Sequence, residues 1–118
     1  MFNRISITAL AMMIAVATVF VYEAYSQKPI QGQVVSLNNI VLSGNGKVTK
    51  EEAKRLAENG SPIVFKSGNT IYFVYNEDGS FAGKKLANFA GNDKVGVIGK
   101  TKKVNGLNII IATMIESM

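Results

Sequence analysis

The chain has 118 residues, 47% of them hydrophobic, and a formal net charge of +5 from 13 Lys and Arg against 8 Asp and Glu. Once an N-terminal targeting segment is set aside, that length leaves room for one small domain. Cysteine and histidine are both absent, which excludes disulfides, thiol nucleophiles, Cys/His zinc sites and every Ser/His or Cys/His catalytic arrangement.

In chain order, Arg4 is a lone positive charge ahead of Ile5 to Tyr22, an apolar run without a charged residue. Glu23 interrupts it, and Ala24-Tyr25-Ser26 then puts small residues at the first and third positions before Gln27, the pattern a signal peptidase accepts. Cleavage between Ser26 and Gln27 is the first reading, giving a signal peptide over 1–26 and a domain over 27–118. An uncleaved anchor is the alternative, because about 18 apolar residues just cross a bilayer core. A lipid-modified N-terminus is excluded, since that modification needs a cysteine. The cut would remove Arg4 and Glu23 together, so the basic balance belongs to the domain in either case.

The domain opens with extended character over Ile30 to Leu42, a strand expected to bend or break at Asn38-Asn39. Thr49-Lys50-Glu51-Glu52 is a capping box, and the helix it starts carries a narrow stripe of Ala53, Leu56 and Ala57 before Asn59-Gly60 and Pro62 end it. Two strands follow, Ile63 to Lys66 and Thr70 to Tyr75, joined by Ser67-Gly68-Asn69, where glycine and asparagine are expected to supply positive φ. Asn76-Glu77-Asp78-Gly79 reads as a turn. Leu86, Phe89 and Ala90 recur at helical spacing with Gly91 at the C-cap position. Lys94 to Lys100 and Leu107 to Ile115 are the last two strands, separated by a turn on Asn105-Gly106.

Within the fourth of these strands, Lys94 to Thr101 reads KVGVIGKT, one glycine short of a phosphate-binding loop. Such a loop needs glycine where Lys94 stands, and it must open a helix whose free amides hold the anion. A hairpin turn and a strand follow Thr101 instead. Gly96 and Gly99 suit a strongly coiled strand of a small barrel.

The order strand, strand, strand, helix, strand, strand, with a further helix between the first two, is the five-stranded OB arrangement. Asn88-Phe89-Ala90-Gly91, then Val95-Gly96-Val97-Ile98-Gly99-Lys100, then Val104-Asn105-Gly106-Leu107 closely resemble small exported bacterial OB-fold proteins, in which a helix ending in "aGk" precedes a "VkVtGkv..knG" hairpin. The resemblance extends, more loosely, from Ile30 to Glu116. It implies a mainly β, OB-fold-like barrel with one or two short helices, behind the N-terminal signal or anchor helix. It also implies a binding surface on the second and third barrel strands, flanked by the loops between strands 1 and 2 and between strands 4 and 5. The relatives commonly carry cysteines ahead of an "A..nG.P" stretch. Here that stretch is Ala57 to Pro62 and has none, so no metal or redox role carries over, and neither metal nor cofactor is expected.

Alternation on the third strand sets Ile71, Phe73 and Tyr75 against Tyr72 and Val74. A small barrel needs its aromatics inside, so Phe73 and Tyr75 are expected to fill it and Tyr72 to face outward. The competing reading is an aromatic platform for bases or sugar rings. The candidate ligand-binding residues are Lys66, Tyr72, Tyr75, Lys100, Lys102 and Lys103. Glu77, Asp78 and Asp93 fall at turns and helix ends, where capping outweighs catalysis. The sequence therefore points to an exported, non-catalytic binding module, periplasmic or secreted, for a small molecule, glycan or protein. A membrane-anchored accessory subunit of an envelope complex is the alternative. Binding of nucleic acid or another polyanion is a third reading, which export disfavours.

Overall fold

The structure, a computed structural model, describes residues 28–118 with their side chains and the backbone of residues 23–25. The expected apolar helix and the cleavage position at Ser26 and Gln27 lie outside the described residues. The described residues form six strands and three short helices: β1 (Glu23–Tyr25), β2 (Ile30–Ser36), α1 (Leu37–Ser43), α2 (Lys50–Glu58), β3 (Ile63–Ser67), β4 (Thr70–Asn76), α3 (Gly83–Ala87), β5 (Val95–Val104) and β6 (Leu107–Ser117).

The protein is mainly β. Strand β2 pairs with β3, β3 with β4, β4 with β6, β6 with β5, and β5 again with β2, so the hydrogen bonding of this five-stranded mixed sheet returns to where it began. Only β4 and β6 run parallel. The sixth strand, β1, lies on the same edge of β5 as β2 but further along it: Ile30, Gln31 and Gly32 oppose Val97, Gly96 and Val95, whereas Glu23, Ala24 and Tyr25 oppose Lys102, Thr101 and Lys100.

Local chemistry sets the boundaries. Where a broken strand is expected, Leu37–Ser43 is helical: Ser36 Oγ caps it by accepting from the Asn39 amide at 3.3 Å, and Gly44 ends it in a left-handed conformation. The two asparagines favour turns and caps, and here the cap outweighs their strand-breaking signal. The Thr49 half of the capping box is present, Thr49 Oγ1 accepting from the Glu52 amide at 3.2 Å. Helix α3 is regular only to Ala87, then turns tightly to Gly91. In the β3–β4 hairpin Gly68 alone takes positive φ, as a type II′ turn needs. In the β5–β6 hairpin both Asn105 (50°) and Gly106 (83°) do, as a type I′ turn needs.

The core is built from Phe65, Ile63, Val74, Val95, Val97 and Ile110, with Leu86 and Ala87 of α3 and Ala53 and Ala57 of α2 packed onto it. Strand β5 carries both glycines read from the sequence, Gly96 and Gly99. At Gly99 a Cβ would collide with Ile111 O and come within 2.9 Å of Ala112 Cα. Beside it the register slips by one, and Thr113 of β6 is the extra residue, its hydroxyl donating to Ile98 O at 3.1 Å. The bulge and the bare glycine together let β6 press against β5. The KVGVIGKT stretch is thus paired strand throughout most of its length, followed by more strand.

Candidate functional site

Directly opposed residues of neighbouring strands share a face. On β4, Tyr72 opposes the fully buried Phe65, and Val74 opposes the fully buried Ile110, so both face the core. Phe73 and Tyr75 oppose Ile109 and Ile111 on the other face. This reverses the expected orientation: Tyr72 packs against the core, and Phe73 and Tyr75 are half-buried outside it. The reason lies in the partners. Ile63, Val64 and Phe65 on β3 and Ile109, Ile110 and Ile111 on β6 are apolar on both faces, so alternation on β4 alone carried no direction.

Register then extends this outer face to β5. Tyr75, Ile111 and Lys100 form one row across three strands, and Phe73, Ile109 and Lys102 form the next. Of the candidate residues, Tyr75, Lys100 and Lys102 are thereby brought together. Tyr72 is not, for the reason just given. Lys103 opposes Asn108 and falls on the opposite face from Lys102. Lys66 is exposed on β3 beside a separate polar hollow of about 280 Å³ with Gln31, Gln33, Asp93 and Lys94. The three lysines of the last hairpin therefore do not make one patch.

The outer aromatics line a larger hollow of about 510 Å³, in the size range of ligand sites. Its floor is Phe73 and Tyr75, one wall is Gly60 to Pro62 at the end of the β2–β3 connection, and the other is Phe81 with Lys84. Phe81 meets Tyr75 edge-on, with ring centroids 5.4 Å apart and planes at 67°. A short bridge between the same two residues and the Ala82 amide, which donates to Val74 O at 2.9 Å, hold the Phe81 segment against β4. Gly83 makes room for the ring: a Cβ there would stand 2.8 Å from Phe81 Cε2. A second, shallower hollow of about 230 Å³ shares Tyr75 and continues over Ile109 and Ile111 to Lys102 and Val104, with Glu77 on its border.

Sequence reasoning missed Phe81, Lys84 and Pro62 and assigned Phe73 to the interior. Phe81 sits between a turn and a short helix, where no period marks it; its one signal is a large aromatic flanked by Ser80 and Ala82-Gly83. The turn before it is well held: Asp78 Oδ1 accepts from the Ser80 hydroxyl at 2.6 Å and the Ser80 amide at 2.9 Å, which keeps the Asp78 carboxyl below its ordinary value. No group of three or more Asp and Glu side chains suited to a metal occurs among the described residues. Among those residues, no helix is long and apolar enough to cross a membrane. Comparison with known protein families, with curated proteins and with solved structures finds no match.

Proposed function

We propose that this chain is an exported, non-catalytic binding module on an OB-type barrel, akin to the small exported bacterial OB-fold proteins that its last two strands resemble. The pairing order β2-β3-β4-β6-β5-β2, with α3 between the third and fourth ring strands, supports the barrel. The absence of histidine and cysteine supports a binding rather than a catalytic role. One observation carries the site: Phe73, Tyr75 and Phe81 stand outside the core around a ligand-sized hollow, where aromatic faces stack on a flat ring. The ligand is a sugar, or a ring of a small molecule or a protein segment, with Lys84 and Ser61 as polar partners.

The test is an NMR titration of the ¹⁵N-labelled protein with chitotriose, maltotriose and a proline-rich peptide. Saturable shifts should centre on Gly60, Ser61, Phe73, Tyr75 and Gly83. Phe81→Ala should weaken binding about tenfold, the loss of ~1.4 kcal/mol of ring contact. Shifts centred on Lys66 and Lys94, or unchanged affinity in both Phe73→Ala and Phe81→Ala, would sink the assignment.

A second reading, a module held at the membrane by its N-terminal segment, is favoured by β1. Cleavage before Gln27 would remove Glu23–Tyr25 and strip β5 of its partner at Lys100 to Lys102. Intact mass and N-terminal sequencing of protein from the cell envelope decide between the two. A chain beginning at Gln27 in the soluble fraction would rule out the membrane-held form.

A further inference from the structure

The β5–β6 hairpin ends in an apolar pair. Val104 and Leu107 oppose each other across the Asn105-Gly106 turn, and Leu107 is 52% exposed. They share the outer face with Lys102, while Lys103 lies on the other, so lysines bracket the tip on both sides. Such an arrangement suits a bilayer surface: the apolar residues enter the boundary between headgroups and acyl chains, and lysines extend to the headgroups on either side.

A second observation points the same way. Glu23 opposes Lys102, two residues short of Val104, so the chain enters the sheet at the tip end of the hairpin. The uncharged run Ile5 to Tyr22 immediately precedes that point. Charge selects the lipid. Lys102 and Lys103 flank the tip on its two faces, with Glu23 in register with Lys102 and Glu77 lining the adjoining hollow, and the chain as a whole carries a formal net charge of +5. We infer that the hairpin tip, Lys102 to Leu107, is a docking surface for an anionic bilayer. This rests on the membrane-held reading above and adds a second contact to it.

Tryptophan is absent from the chain, so Leu107→Trp introduces a single reporter. The full chain carrying it is reconstituted into phosphatidylcholine vesicles and into vesicles of phosphatidylcholine and phosphatidylglycerol at a 3:1 ratio. Flotation reports retention on the membrane, and quenching by brominated lipid reports contact at the tip. Glu51→Trp is the control: Glu51 is exposed at the start of α2, where Lys50 N lies 3.8 Å from where a Gly91 Cβ would stand, and Gly91 leads into β5, whose ten residues span about 30 Å to the tip. Val104→Trp repeats the reading should Leu107→Trp fold poorly.

In the anionic vesicles the tip indole should be blue-shifted and quenched at least about threefold more than the control. K102E/K103E on the same background should bring it down to the control. A chain that floats while its tip indole is quenched no more than the control overturns the docking surface and leaves the membrane-held reading standing. Equal quenching in neutral vesicles, or quenching that survives K102E/K103E, overturns the anionic partner. A chain that floats with neither vesicle overturns both.

Discussion

Two tyrosines three positions apart on β4 have opposite duties. Tyr72 lies with Phe65 against the core, so Tyr72→Ala should cost about 2–3 kcal/mol in urea unfolding. Tyr75 lies outside with Ile111 and Phe81, so Tyr75→Ala should cost less than about 1 kcal/mol yet weaken ligand binding. Equal losses of stability would contradict the assigned faces. Asp78 makes a different kind of claim. Its carboxyl is lowered by the Ser80 hydroxyl and then by the Ser80 amide, and its ordinary value is 3.8. A lowered folded value means that the carboxylate's support of the turn is present above the unfolded value and lost as pH falls through the lower folded one. Titration of its carboxyl carbon should run below the ordinary aspartate value, and Ser80→Ala should return it upward. The candidate site was only partly legible at this scale. Tyr75, Lys100 and Lys102 were among the candidate binding residues, but Tyr75 was expected inside with Phe73, because the face of both depends on partners in β3 and β6, which alternation within β4 does not encode.

Turns and caps were the readable part of each element, because the glycine and asparagine that adopt positive φ and the threonine that caps are local facts. Thr49→Ala should remove about 1 kcal/mol by freeing the Glu52 amide. Helix α1 was missed because its residues look extended, and its start depends on a single serine oxygen. Strand β5 shows what lies beyond local signals. Its glycines were read as room for coiling, whereas the requirement at Gly99 is set by the backbone of Ile111 and Ala112, brought there by a bulge that only pairing reveals. Gly99→Ala should cost about 2–3 kcal/mol, since backbone rather than a flexible side chain must yield. Strand β1 was hidden inside what reads as a cleavage site. In the full chain, Ala24→Pro should speed hydrogen exchange across Lys100 to Lys102 while leaving Ile110 protected; unchanged exchange would place β1 elsewhere.

At the level of the whole molecule, the chain order of the five ring strands was legible in the sequence, and the parallel β4–β6 pair takes part in closing the ring of hydrogen bonds. Among the described residues the core cluster runs from Val34 to Ile115, so the ring should unfold in one transition that chemical denaturation detects identically by circular dichroism and tyrosine fluorescence. Strand β1 stands apart from this unit. It is joined by three residue pairs along one edge of β5. Tension drawn through the residues before Glu23 therefore reaches those three pairs first, loading them along the strand axis. They should act as a mechanical fuse: held by three residue pairs, β1 should shear from β5 before the ring opens, and the tether then lengthens by only the few residues between Glu23 and Ile30 before the load arrives at β2.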